Sequence, residues 1–94
     1  MESVLITGCS SGIGRVSATF LAQQGYRVFA TVRNPVAATT LADWAKQNKL
    51  ALQPMQMDVT QTDSIDRAVD EVMAAAGQVD VLINNAGIAI SGAF

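Results

Sequence analysis

The residues with the most chemistry per position stand near the start of the chain: Thr7-Gly8-Cys9-Ser10-Ser11-Gly12-Ile13-Gly14, directly after the apolar run Val4-Leu5-Ile6. Glycines and hydroxyls in this pattern, placed between a strand and a helix, bind an anion. Gly8 permits a sharp exit from the strand, Gly12 lets a pyrophosphate approach the backbone, and Gly14 lets the helix lie close on a sheet. The first turn of that helix, Ile13 included, offers backbone N–H groups without intrahelical acceptors at the positive end of the helix dipole. Ser10 and Ser11 add hydroxyl donors. The spacing is not that of a nucleoside-triphosphate loop, because no Gly-Lys-Ser/Thr follows, so the phosphate lysine and the magnesium hydroxyl of that chemistry are missing. Nor is it a strict G-x-G-x-x-G, since Gly12-Ile13-Gly14-Arg15-Val16 runs into Ser17. A glycine turn with no ligand is the competing reading.

Other chemistries are thinly supplied. One cysteine, Cys9, and no histidine leave no set of soft ligands for zinc or haem, and no internal disulfide can form. The net charge is −2, and the six basic residues (Arg15, Arg27, Arg33, Lys46, Lys49, Arg67) are scattered, which argues against a nucleic-acid partner. No apolar run approaches the roughly 18 residues of a membrane span, and Met1-Glu2-Ser3 begins no secretory signal. A cytoplasmic setting with no membrane partner is the expectation.

The elements that must position the turn follow from periodicity. Half of the 94 residues are hydrophobic, enough for one core and too few residues for two domains. Short apolar runs at residues 3–7, 27–32, 51–57 and 79–83 predict four strands. Between them, apolar residues recur at helical spacing: Ile13, Val16, Phe20 and Leu21; Val36, Leu41, Trp44 and Ala45; Ile65, Ala68, Val69, Val72 and Met73. Gly25 is placed to end the first helix, Asn34-Pro35 to open the second, and Thr60-x-x-Asp63 to open the third as a capping box. Strands without a polar face, alternating with helices, predict an α/β doubly wound fold with a parallel sheet. Pro54 would cost a ladder hydrogen bond unless its strand lies at an edge, which favours the Rossmann half-sheet order 3-2-1-4 with three helices.

Thr7-Gly8-x-x-x-Gly12-Ile13-Gly14 together with Asn84-Asn85-Ala86-Gly87 after the fourth strand resembles the short-chain dehydrogenase/reductase family along the whole chain. With Ala30-Thr31-Val32-Arg33-Asn34, the resemblance is closest to the subgroup of 17β-hydroxysteroid and retinol dehydrogenases. It implies a dinucleotide as partner, with Asp58-Val59 at the adenine ring and Asn85-Ala86-Gly87 stabilising the central sheet and bordering the cofactor. Asp58 as a mere strand-ending polar residue and Asn84-Asn85 as turn formers remain open. NAD enzymes place a carboxylate about 20 residues after the glycine turn, on the ribose hydroxyls. This chain has Val32-Arg33 there, so the expected cofactor is NADP, with the Arg33 guanidinium on the 2′-phosphate; a solvated surface arginine is the alternative.

The serine, the Tyr-x-x-x-Lys pair and the assisting asparagine of that family have no counterpart in residues 1–94, and Tyr26 is followed four positions later by Ala30. The expectation is a dinucleotide-binding segment of an alcohol/carbonyl oxidoreductase that is catalytically silent by itself. A non-enzymatic nucleotide-binding module and a structural fragment are the alternatives. In such a segment the fourth strand would be a bare apolar edge and part of the central strand's surface would be uncovered, giving a route to self-association.

Overall fold

The computed structural model describes residues 2–9, 12–58 and 60–84. Seven elements alternate along them: β1 (Ser3–Ile6), α1 (Gly12–Gln23), β2 (Arg27–Val32), α2 (Pro35–Gln47), β3 (Leu52–Gln56), α3 (Thr62–Ala76) and β4 (Val81–Ile83). The four strands are parallel in the order β3-β2-β1-β4, as the sequence predicts. Pro54 sits on the edge strand opposite Ala30. Ala51 accepts from the Val28 N–H and Met57 donates to the Val32 carbonyl, so strand alternation turns the Pro54 nitrogen away from β2, where no donor is needed.

The last strand starts later than its apolar run because Asp80 is occupied otherwise. Its carboxylate Oδ2 accepts from the Ser3 N–H at 2.8 Å, its own N–H donates to the Ser3 carbonyl at 3.0 Å, and the Ser3 hydroxyl bonds the Gln78 carbonyl. This latch fastens the start of β4 to the start of β1.

Each sheet face has its own core. On one, Ile6, Val28, Ala30, Val32 and Leu52 pack with Cys9, Ala18 and Ala22 of α1, and Leu41 and Ala45 of α2. On the other, Leu5, Phe29, Met55 and Met57 pack with Ala68 and Val72 of α3. Phe29 is fully buried, worth about 1.5–3 kcal/mol in apolar burial alone. The expectation of an uncovered central strand is therefore corrected. Leu5 and Phe29 are sealed because α3 runs for 15 residues and the two long methionines fill the space beneath it. Val81 and Leu82 of β4 are exposed, as the sequence leads one to expect of that strand.

A second correction concerns α1. Ile13, Val16 and Phe20 face outward, and the buried residues are Gly14, Ala18 and Ala22, spaced by four. Small side chains let this helix lie low on the sheet, whereas the larger ones would hold it away.

Two of the predicted helix ends form as expected. After α1 the Tyr26 N–H bonds the Leu21 carbonyl and the Gly25 N–H that of Ala22, both at 3.2 Å, a Schellman closure. Before α2 the Asn34 Oδ1 accepts from the Val36 N–H at 2.8 Å, with Pro35 in the first turn. The third does not form. The residue capping α3 is Gln61, without a side-chain cap bond, because Thr60 donates both its N–H and its hydroxyl to Asp58 Oδ1, at 2.9 and 2.6 Å. An Asx turn two residues long has outcompeted the capping box.

Candidate nucleotide-binding site

A parallel strand releases its chain at the carboxyl edge of the sheet, so the loops after β1, β2, β3 and β4 gather there. The chain leaves β1 for β2 on one side and later returns to β4 on the other side of β1. That reversal opens a crevice between the two directions of travel, the usual ligand position in open α/β sheets.

The glycine turn occupies this crevice. Gly8 has φ +70° and Gly12 φ +66°, conformations that side-chain-bearing residues rarely adopt. The turn is pinned on both sides: the Cys9 N–H donates to the Thr31 carbonyl of β2 at 2.9 Å, and the Thr7 N–H donates to the Ile83 carbonyl of β4 at 3.0 Å. The Thr7 hydroxyl also donates to Asn84 Oδ1 at 3.2 Å. Beneath it, Cys9 is fully buried and its thiol donates to the Ile6 carbonyl at 3.3 Å. Burial pushes its pKa up to about 12, against a lesser opposing effect of the Thr31 backbone, so it is a packed thiol and not a nucleophile. Gly14 is buried, as close packing of α1 requires. A Cβ built on Gly12 would meet no heavy atom of the described residues within 4 Å, so among them its Cα faces open space at the start of α1.

The charged side chains come from the next two loops. Arg33, just past β2, is 80% exposed at its side chain, and its Nε stands 3.6 Å from Oδ2 of Asp58, just past β3. The Arg33 carbonyl accepts from Gln56 Nε2 at 3.3 Å. Asp58 is held more firmly: Oδ1 takes both Thr60 bonds, and the Asp58 N–H donates to the Ser64 hydroxyl at 2.9 Å. The Thr60 bonds, and to a smaller degree the Arg33 charge, hold this carboxyl below the usual range.

Of the residues singled out in the sequence, Gly8, Gly12, Gly14, Arg33 and Asp58 thus meet at one sheet edge. Ile13 is 78% exposed and stands in the first turn of α1. Ser10, Ser11, Val59, Asn85, Ala86 and Gly87 lie outside the described residues. Sequence reasoning missed the bonds from Thr60 to Asp58 and the pins Thr7–Asn84 and Cys9–Thr31. The Asp-x-Thr spacing signals the first; the pins join distant segments and have no local signature. Among the described residues no group of side chains suits a metal ion, and no helix is long and apolar enough to cross a membrane.

Known proteins resemble this chain in sequence and fold. The family described as short chain dehydrogenase matches over residues 2–94. A 3-ketodihydrosphingosine reductase of Bacteroides thetaiotaomicron is 39% identical over 92 residues, covering 98% of this chain and 30% of that protein. The 3-oxoacyl-acyl-carrier-protein reductase FabG of Escherichia coli is 38% identical over 84 residues, covering 89% of this chain and 33% of its own length. Among solved structures, a variant of actinorhodin polyketide ketoreductase with NADPH superposes with a TM-score of 0.85 at 35% identity, covering 92% of this chain and 33% of that one. The chain spans about a third of the length of the curated relatives it matches. With a glycine turn in the crevice of a 3-2-1-4 parallel sheet and a family match along nearly its whole length, the chain belongs to the short-chain dehydrogenase family.

Proposed function

We propose that this chain is the NADP(H)-binding part of an oxidoreductase acting on alcohol and carbonyl groups. The observation that carries the reading is the meeting of the glycine turn, Arg33 and Asp58 at the carboxyl edge where the sheet reverses direction. The open space over Gly12 fits a pyrophosphate drawn to the N-terminus of α1. Arg33 would take the 2′-phosphate through charge-assisted bonds, with no carboxylate at the end of β2 to repel it. Asp58 and Val59 would border the adenine, Ser10 and Ser11 would add donors to the phosphates, and Asn85-Ala86-Gly87 would flank the nicotinamide end. The nicotinamide, when bound, supplies or accepts the hydride; residues 1–94 hold and orient the dinucleotide. Without a Tyr-x-x-x-Lys to move the carbinol proton, these residues alone should not turn over ketones or aldehydes. The reading includes a cytoplasmic setting, in keeping with a single buried thiol.

Calorimetric titration tests it. NADPH should bind more tightly than NADH by about 1.5–3 kcal/mol, or about 10- to 150-fold, and Arg33→Asp should reverse the order. Gly12→Val, which places a branched side chain against the pyrophosphate and strains a backbone at φ +66°, should abolish binding of both and lower the thermal transition without removing it. Equal affinities for the two nucleotides in the wild type would remove Arg33 from the site, and unchanged binding by Gly12→Val would move the ligand elsewhere.

A further inference from the structure

The ion pair between the second and third strand ends has a use beyond holding the loops together. Arg33 is a long, 80% exposed side chain, and an arginine of that kind loses much rotamer freedom when it is fixed on a ligand. Asp58 meets it at Nε, and among the described residues its two terminal amines make no hydrogen bond. Asp58 itself cannot easily swing away. Its Oδ1 holds two bonds from Thr60 and its N–H one to Ser64, which leaves Oδ2 facing the guanidinium.

Resting on the assignment of Arg33 to the 2′-phosphate, we propose that Asp58 is a positioning residue for nucleotide choice: anchored by Thr60, it holds the guanidinium by its Nε side and leaves the terminal amines directed to the phosphate. This role is separate from any contact of Asp58 with adenine. Adenine is common to NADH and NADPH, so an adenine contact moves both affinities together, whereas positioning of Arg33 moves their ratio. A carboxylate beside a phosphate site also has an opposing effect, since both anions seek the same cation. The geometry favours positioning, because the carboxylate stands at the Nε edge, and among the described residues no hydrogen bond engages the terminal edge, where an arginine binds phosphate bidentately.

Asp58→Asn keeps an oxygen for the Thr60 bonds and removes the charge that faces Arg33. Titration with NADPH and NADH should show the NADPH:NADH affinity ratio falling about two- to fivefold, the range of a well-anchored surface pair. Thr60→Val, which frees the carboxylate, should lower the ratio in the same direction, and Thr60→Ser should restore it. In an Arg33→Met background neither change should alter the ratio. Equal weakening of both nucleotides by Asp58→Asn, a rise in the ratio, or a fall that persists in the Arg33→Met background would each overturn the proposal. A wild-type ratio of one, or one that Arg33→Met leaves intact, would instead sink the assignment of Arg33 and this inference with it. A wild-type preference that depends on Arg33 but is indifferent to Asp58 would sink the inference alone.

Discussion

The inner face of α1 is built from Gly14, Ala18 and Ala22, all buried, whereas its outer face carries Ile13, Val16 and Phe20, which are 78%, 69% and 58% exposed. The larger apolar side chains are on the outside, the reverse of what burial of hydrophobic area alone would select. Close approach explains the inner face. A helix seated on glycine and alanines brings its N-terminus, and the turn that precedes it, down to the carboxyl edge of β1. The outer face continues into a groove lined by Val16, Ser17, Phe20, Leu21 and Ile83, and from there to Val81 and Leu82 on the edge strand β4. The opposite edge of the sheet is different in kind: β3 exposes Gln53 and Gln56 and turns the Pro54 nitrogen outward. One edge of the sheet thus presents polar side chains to water, and the other presents apolar ones.

The largest expected effect tests the inner face. Ala18→Leu would force extra methylenes between α1 and the sheet, where Ala18 is fully buried against Ile6, Val28 and Ala30. Overpacking of this kind costs about 1–3 kcal/mol, and urea denaturation should show it as a lower midpoint. Because the helix would be lifted at the same time, NADPH affinity should fall with stability. The matching change outside, Val16→Ser, should stay within about 0.5 kcal/mol of the wild type. Equal costs on the two faces would mean that α1 is not seated by its small residues.

A middling effect tests the outer side. We infer that residues 1–94 on their own associate with a second copy through the edge of β4, since Val81 and Leu82 expose apolar side chains on a strand that, among the described residues, pairs on one side only. Sedimentation velocity should show a boundary that moves faster as concentration rises. Val81→Asp or Leu82→Lys should return it to a monomer without altering the inner face. A single sharp monomer boundary for the wild type at high concentration would show that the edge needs no partner.

These contrasts also mark what could be read in advance. β2 coincides with its apolar run, and the position of β3 followed from one proline, because the cost of a missing N–H is a local property. The glycine turn was legible for the same reason: positive φ at Gly8 and Gly12 is demanded by the turn itself. The orientation of α1 was misread because periodicity weighs the size of apolar side chains. A run of small residues at intervals of four signals close approach, and it was present in Gly14, Ala18 and Ala22. The start of α3 was misread because Asp58 competed for Thr60 from outside the window in which a capping box is sought. Arg33 and Asp58 were each visible, but their pairing across two strand ends was not, nor was the latch from Ser3 to Asp80, 77 residues away. Such contacts exist only once the sheet order has brought the segments together.

The smallest effect is read at Cys9, which belongs to the same core cluster as Ala18 and Ala22 and therefore reports whether the inner face of α1 is closed. Its thiol is buried and its pKa is pushed up to about 12, so a thiol reagent at pH 8 should find almost no thiolate in the folded chain. Labelling should then proceed only as fast as the core opens. Ala18→Leu should speed it, and Val16→Ser should leave it unchanged. The pH dependence has a definite sign. The folded thiol ionises at a higher pH than the ordinary value of 9.0 found when the chain unfolds, so the neutral form stabilises the fold fully below about pH 9. That contribution is lost as pH climbs from there toward 12. Alkaline loss of stability in the wild type should accordingly begin above pH 9, and Cys9→Ala, though less stable at neutral pH, should show a flatter decline between pH 9 and 12 because the group whose ionisation favours the open chain is gone. Rapid labelling of the native protein at pH 8 would show that the inner face breathes, and with it the glycine turn that Cys9 underlies.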